Sequence, residues 1–183
     1  MLRQLVDDLR SAPPSSRGHF EMGRLLHQAS ARWNNGVKLV SRREAYTRTC
    51  AYRDDAFEIL LLNWEPGAIS PIHDHGDQDC WMMVLSGRLQ VDDYRRLDAG
   101  DVGGYARVES LSSHMLEAGG LDTRAGRFDL HRVSAAAGET AVSLHVYSGP
   151  LREYLIYDEL ARRCESTRGK YDDFLSPYAA VRR

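Results

Sequence analysis

Short strand-like runs separated by turn signals extend from residue 46 to residue 147, and they constrain the fold more than any other feature. The runs are rich in β-branched, aromatic and aliphatic residues, which suit pleated sheets. Dipeptides such as Pro66-Gly67 and Ser86-Gly87 lie between them and favour turns. The runs cover 46–52, 57–64, 69–74, 80–85, 88–94 and 140–147. Many short strands at regular spacing predict a mainly β fold, a β-sandwich or a closed barrel.

A helical segment precedes the strands. Apolar residues spaced at i, i+3, i+4 and i+7 predict an amphipathic helix, which Pro13 and Pro14 end. These apolar residues are Leu2, Leu5, Val6 and Leu9. A second helix is predicted over 20–33, and Asn34-Asn35-Gly36 ends it. We therefore expect a short helical N-terminal segment to cover one side or end of the barrel.

The rest of the chain carries weaker signals. Residues 103–126 are rich in glycine and show little periodicity, which predicts a long surface excursion between strands. The tail after Asp158 is compatible with helix or with extended chain. A length of 183 residues favours one domain over 1–183. Its parts would be a helical leader (1–45), a β-barrel (46–157) and a C-terminal tail (158–183).

Composition limits the classes of partner. The chain has 43% hydrophobic and 27% charged residues and a formal net charge of −2, so it lacks the basic character of a nucleic-acid binder. No apolar run approaches the length of a membrane helix. Three widely spaced cysteines argue against a disulfide framework. We predict a cytoplasmic protein with small-molecule partners, no nucleic acid and no membrane; a monomer is plausible, and the oligomeric state stays open.

Two histidines one residue apart are the first candidates for chemistry. In a strand, His73 and His75 would point to the same face and Asp74 to the other. Such a pair can supply two metal ligands to the inside of a barrel. The alternative is a pair of polar histidines on a strand surface.

The surroundings of this pair favour a metal site. The spacing of Gly67, His73, His75, Cys80 and Gly87 resembles the first motif of the cupins, metal-binding β-barrels with a jelly-roll layout. Cys80 stands where a typical cupin has a glutamate ligand. A metal here would therefore be held by neutral imidazoles and a further ligand from elsewhere. Cys80 itself has an alternative interpretation as a small buried hydrophobic residue.

Several histidines could supply the third ligand. The candidates are His114, His131 and His145, while His19 and His27 are set aside because they lie in the helical leader. The segment around His131, RFDLHRV, is typical of a strand. It lies at about the distance downstream where cupins place their last histidine.

A second polar constellation lies in AVSLHVYSG. Ser143, His145 and Tyr147 are spaced at i, i+2 and i+4, so hydroxyl, imidazole and phenol share one strand face. His145 could then bond the phenol and tune its acidity. The alternative is that this row faces solvent, with Leu144 and Val146 facing the core.

Together these motifs resemble the cysteine dioxygenase family of thiol dioxygenases. The resemblance rests on four motifs in the same order: YTR at 46–48, HDH at 73–75 with Cys80, LHRV at 130–133 and AVSLHVYS at 141–148. It implies a cupin-type jelly-roll barrel that converts L-cysteine and O₂ to cysteine sulfinic acid. It also implies iron(II) held by His73, His75 and His131.

The resemblance extends to residues beyond the metal. It implies that Arg48 binds the substrate carboxylate, with Tyr46 beside it. It places His145 in the middle of a catalytic row with Ser143 and Tyr147, and some family members join the equivalents of Cys80 and Tyr147 by a thioether bond. This chain departs from the family at two places. Gly149 stands where animal members have proline, and the segment 103–126 is longer than theirs.

Three alternatives remain open. The substrate could be another small thiol acid such as 3-mercaptopropionate, although members with that preference tend to have glutamine at the position of Arg48. His75 and Asp77, with a distant histidine, resemble the iron site of 2-oxoglutarate-dependent oxygenases, but that interpretation leaves His73 unexplained. The chain could also be a cupin sensor that binds metal or a small molecule without turnover.

Overall fold

The computed structural model describes residues 1–33 and 37–175, and its strands form two six-stranded sheets. The helices are α1 (Leu2–Ser11) and α2 (His19–Ser30). The strands are β1 (Tyr46–Arg53), β2 (Glu58–Trp64), β3 (Ile72–His73), β4 (Cys80–Ser86), β5 (Arg88–Arg96), β6 (Val108–Glu117), β7 (Leu121–Arg124), β8 (Leu130–Ala135), β9 (Ala141–Tyr147), β10 (Glu153–Asp158), β11 (Arg163–Arg168) and β12 (Asp173–Phe174). The fold is mainly β, as the strand pattern predicted.

The sheets have a jelly-roll order. The first runs β12-β1-β2-β9-β4-β7 and the second β11-β10-β3-β8-β5-β6. All described pairings between these strands are antiparallel except the parallel pairing of β12 with β1. Most strands that follow one another in sequence lie in different sheets, the exceptions being the paired strands β1 and β2, β5 and β6, and β10 and β11. This brings residues far apart in the chain into one interior.

Both faces of the first sheet are buried. Leu61 of β2 packs in a cluster with Leu9 of α1, while its neighbour Leu60 belongs to an inner cluster with Val133 of β8. The helical leader therefore covers the outer face and the second sheet covers the inner face. Double burial explains why β2 is a nearly continuous apolar run instead of an alternating one.

The predicted helices are confirmed within one to three residues at each described end. Leu5, Val6 and Leu9 are the buried residues of α1, and the chain is extended at Ala12, just before the two prolines. The predicted break at Asn34-Asn35-Gly36 lies outside the described residues. No described helix has both the length and the apolar character needed to cross a bilayer.

The expectation of a surface excursion over 103–126 is wrong. This stretch contains β6, which pairs with β5 along its whole length, and β7, which pairs with β4. Most of β6 is exposed on an edge of its sheet, so it lacks the apolar alternation that reveals a strand in sequence.

Of the two alternatives for the C-terminal tail, helix or extended chain, the described residues form extended strands. β10 pairs with β11, and β12 lies beside β1. Residues 176–183 lie outside the described residues, so a single domain over 1–183 stays a prediction.

Candidate metal centre and substrate pocket

Three histidines meet in the interior of the barrel. His73 of β3 and His131 of β8 are directly opposed in the antiparallel register, and His75 lies two residues further in the loop after β3. One ring nitrogen from each lies within 4.8 Å of the others. The ring centroids are 4.7 to 5.1 Å apart. The predicted shared face is thus achieved although β3 ends at His73.

Hydrogen bonds orient two of these rings. His73 Nδ1 donates to the carbonyl of Pro71 at 3.0 Å, and His131 Nδ1 lies 3.0 Å from Asp122 Oδ2. In both rings this leaves the Nε2 lone pair free, which is the tautomer that a metal requires. His75 Nδ1 is buried and has no hydrogen-bond partner among the described residues. The three imidazoles can therefore each offer one nitrogen ligand to a single metal ion.

The surroundings keep the imidazoles neutral. Burial lowers the pKa of His73 and His75 well below the usual value, and the neighbouring histidines lower it further. Burial also lowers the pKa of His131, but Asp122 opposes this effect through its hydrogen bond and charge. Neutral imidazole is the form that coordinates metal, so the centre needs no deprotonation at neutral pH.

Of the candidates for a third ligand, the structure brings His131 into the cluster. His114 lies on β6, with its side chain 43% exposed and 3.6 Å from Asp93. His145 is buried but bonds Ser143 instead. His19, which the sequence placed in the leader, accepts a hydrogen bond from Trp81 Nε1 at 3.2 Å.

The row on β9 is buried, so the solvent-facing alternative is wrong. Ser143, His145 and Tyr147 are at most 5% exposed. Ser143 Oγ lies 2.8 Å from His145 Nε2 and accepts a hydrogen bond from Trp64 Nε1 at 2.9 Å. The rings of His145 and Tyr147 stack with centroids 6.2 Å apart, so in the described structure their contact is stacking and not the expected hydrogen bond.

Cys80 faces Tyr147 across β4 and β9. Burial and the charge of Asp122 raise the pKa of the Cys80 thiol, while a hydrogen bond with Tyr147 acts in the opposite direction. Burial also raises the pKa of Tyr147 well above its usual value, with a further contribution from Cys80. Both groups are therefore protonated at neutral pH.

Arg48 lines the same pocket as His73 and His131. Its side chain is almost fully buried on β1, and its Nη2 has no hydrogen-bond partner among the described residues. Asp172 lies just before β12. Its carboxylate accepts a hydrogen bond from the backbone N–H of Arg48, and its backbone N–H donates to the Arg48 carbonyl, both at 2.8 Å. Tyr46 stacks on Trp64 with centroids 4.8 Å apart. The C-terminal tail therefore holds the strand that carries Arg48.

The pocket brings together residues from both sheets. It is lined by Tyr46, Arg48, Leu62, Trp64, Ser70, Pro71, His73, His131, Val133, His145, Tyr147, Leu151 and Tyr154. Three residues at the site were not predicted from the sequence: Trp64, Tyr154 and, behind His131, Asp122. A signal for Asp122 was present, since the alternation of Asp122 and Arg124 in LDTR is compatible with a strand that presents two charges on one face.

The alternative iron site built on Asp77 has no support in the geometry. Asp77 lies in the turn after His75, its side chain is 72% exposed, and it pairs with Arg127 at 2.7 Å. The described cluster of potential metal ligands contains His73 and leaves Asp77 out.

A two-sheet jelly roll with three inward histidines defines the chain as a cupin. A family model described as Cysteine dioxygenase type I matches residues 26–160, and the chain belongs to this family. It is 29% identical over 120 residues to cysteine dioxygenase type 1 of Danio rerio and 30% identical over 116 residues to that of Rattus norvegicus. Each match covers 62% of this chain and 56% of the relative, so the chain spans little more than half the length of these relatives.

Two solved structures align with about two thirds of this chain. An oxalate oxidase in complex with the substrate analogue glycolate aligns with a TM-score of 0.48 and 17% identity, covering 66% of this chain and 60% of that one. The Cnp3 cupin domain of Schizosaccharomyces pombe aligns with a TM-score of 0.47 and 10% identity, covering 62% and 65%.

Proposed function

We propose that the chain is an iron(II)-dependent thiol dioxygenase that converts L-cysteine and O₂ to cysteine sulfinic acid. The observation that carries the proposal is the unpartnered Nη2 of buried Arg48 in the same pocket as two of the clustered histidines, His73 and His131. A buried guanidinium nitrogen without a partner is costly unless a ligand completes it. The family relationship supports the same reaction.

Arg48 would hold the substrate carboxylate. Its planar guanidinium can form a two-pronged, charge-assisted pair with a carboxylate, which a lysine cannot reproduce. Asp172 holds the backbone of Arg48 through two hydrogen bonds and so fixes the strand position from which the guanidinium extends. The substrate would thus be oriented before any chemistry begins.

His73, His75 and His131 would hold the metal. Three neutral imidazoles leave the full positive charge of the ion, and the pocket also contains the Arg48 cation. This excess of positive charge favours a substrate that carries both a thiolate and a carboxylate. When bound, iron(II) supplies the redox chemistry that activates O₂.

Tyr147 would act as a hydrogen-bond donor in the pocket. Burial keeps its pKa high, so the phenol retains its proton at neutral pH. His145 stacks on its ring, and Ser143 and Trp64 fix His145 from behind. This row would hold the phenol against the substrate and exclude water. In the overall reaction the thiol sulfur is oxidised by four electrons, O₂ accepts them, and both oxygen atoms end on sulfur.

Oxygen uptake tests the proposal directly. The protein is loaded with iron(II) under anaerobic conditions, and O₂ uptake and products are then measured with L-cysteine and 3-mercaptopropionate side by side. One O₂ consumed for each sulfinate formed from cysteine is expected, and His73→Ala should abolish it. His114→Ala is the matched control, because this exposed histidine lies outside the cluster.

Two outcomes would contradict the proposal. Faster turnover of 3-mercaptopropionate than of cysteine would transfer the assignment to another thiol acid. Iron binding without O₂ uptake on either thiol would favour the sensor interpretation.

A further inference from the structure

A row of charged side chains extends from His131 away from the other two histidines of the cluster. His131 Nδ1 lies 3.0 Å from Asp122 Oδ2, and Arg124 donates to both oxygens of Asp122, at 2.9 and 2.6 Å. Arg124 Nη2 also contacts Asp93 Oδ1 at 2.7 Å. The side chains of Asp122 and Arg124 are only 7% exposed. The buried imidazole therefore contacts one carboxylate directly, and Arg124 links that carboxylate to a second one.

Strand register explains how these residues meet. Asp122 and Arg124 are two apart on β7 and share a face, and Arg124 is directly opposed to Cys80 on β4. Asp93 on β5 is directly opposed to His131 on β8, in the other sheet. Asp122 thus reaches from an edge strand of the first sheet to a histidine of the second sheet.

A purely structural ion pair would not need this arrangement. Arg124 has a second carboxylate partner in Asp93, yet Asp122 Oδ2 is shared between Arg124 Nε and His131 Nδ1. Burying charged groups costs free energy unless well-aligned ion pairs and hydrogen bonds offset the loss of water. Two carboxylates against one guanidinium also leave one net negative charge beside the imidazole, in a motif where Cys80 has replaced the usual anionic ligand.

We propose that Asp122 is a positioning residue for the metal centre, which holds His131 with Nδ1 protonated and Nε2 directed at the metal, and that Arg124 and Asp93 hold Asp122 in place. This inference rests on the proposed metal site at His73, His75 and His131. A carboxylate in this position makes the imidazole a stronger donor, and its loss typically lowers metal affinity about 10- to 100-fold.

Metal affinity and ring tautomer together test the inference. Cobalt(II) is titrated into the metal-free full chain against a competing chelator, and the side-chain nitrogen NMR of the metal-free protein reports the tautomer of His131. Asp122→Asn should weaken cobalt(II) binding about 10- to 100-fold. It should also reduce the population with a proton on Nδ1, which a merely structural role would leave unchanged.

Asp92→Asn is a matched control. Asp92 is a buried aspartate on the same strand as Asp93, and it pairs with Arg132 at 2.8 Å. Its loss should lower stability without changing cobalt(II) affinity. If Asp122→Asn does not fold, Asp93→Asn is tested in its place, because Asp93 is 21% exposed and its replacement disturbs the core less. The affinity for cobalt(II) should still fall several-fold in this variant.

The outcomes separate this inference from the function on which it rests. Wild-type protein that binds no cobalt(II) overturns both. Wild-type protein that binds cobalt(II), together with a folded Asp122 or Asp93 variant of unchanged affinity and tautomer, overturns the positioning role alone.

Discussion

Cys80 and Tyr147 are directly opposed in the register of the antiparallel strands β4 and β9. Tyr147 lines the pocket and Cys80 is its neighbour across the two strands, and neither belongs to the described histidine cluster. The position that carries a glutamate ligand in a typical cupin therefore places a thiol beside a phenol. The opposed register lets the two side chains meet, as a thioether bond between them would require.

We expect turnover to join Cys80 and Tyr147 covalently. A C–S bond would replace the thiol S–H and one ring C–H, with O₂ accepting the two electrons and two protons. Intact mass under reducing, denaturing conditions should show a species lighter by two hydrogens after exposure to iron(II), cysteine and O₂. Cys80→Ser should lack it, and Cys50→Ser, a buried cysteine on β1, should retain it. An unchanged wild-type mass would contradict the prediction.

Replacing Arg48 with glutamine should weaken the use of L-cysteine selectively. Loss of a charge-assisted, two-pronged pair is expected to raise KM for cysteine by about tenfold or more. Cysteamine, which lacks the carboxylate, should lose far less. Steady-state O₂ uptake with both thiols measures the difference, and Arg88→Gln, at an exposed pair with Glu139, is the control. Equal losses on both thiols would disprove the clamp.

Metal loading should stabilise the folded chain. A ligand that binds only the native state at a free concentration about 100 times Kd adds about 2.7 kcal/mol to the free energy of unfolding. The thermal midpoint should therefore rise on addition of cobalt(II) and return after chelation. His75→Ala should remove this response, while His27→Ala, in α2, should keep it. A rise of equal size in the His75 variant would place the metal elsewhere.

Gly87 should tolerate no side chain. Its φ is +71°, and an added Cβ would lie 2.1 Å from the Thr140 carbonyl oxygen. Gly87→Ala should therefore destabilise by more than about 2 kcal/mol, since conformational strain and a backbone clash add. Gly138 has φ +75°, and apart from its chain neighbours no described atom lies within 4 Å of the added Cβ, so Gly138→Ala should cost only about 1 kcal/mol. Urea unfolding of both variants measures the difference, and similar losses would contradict the clash.

Asp98 should contribute to stability above about pH 4. A hydrogen bond from Arg96, with others from the Arg107 and Gly100 backbone N–H groups, lowers the pKa of Asp98 to about 2. A carboxyl whose folded pKa is depressed stabilises the native state above its unfolded pKa and loses that contribution as pH falls. Asp98→Asn should lower stability at pH 7 by on the order of 1 kcal/mol. In urea titrations the gap from wild type should narrow as pH falls below about 4; a constant gap would contradict the assignment.

Local patterns in the sequence predicted most of the elements. The helix of α1 and five of the six strand runs are confirmed because each depends on periodicity and turn residues over fewer than a dozen positions. The run at 69–74 contains only the two-residue strand β3. β6 was missed for a physical reason. It is an exposed edge strand stabilised by its pairing with β5 and not by burial, so no apolar alternation distinguishes it.

The candidate site divides in the same way. The HxH pair and the strand around His131 are visible as motifs, and the structure brings them together. Asp122 and Tyr154 were not predicted, because each reaches the centre only when distant strands take their places in the two sheets. A two-residue charge alternation such as that in LDTR is also too short to distinguish a strand from a loop.

The sequence by itself determined which side chains share a strand face, because a strand has a fixed period of two. It placed Ser143, His145 and Tyr147 together but left open which side of β9 is inward. Only the tertiary structure decided this, since the helical leader covers the apolar outer face and the second sheet encloses the polar row. Strand register across the two sheets then decided that His131 meets Asp122 and that Arg48 opens into the pocket. Such contacts depend on residues tens of positions apart, which no local pattern encodes.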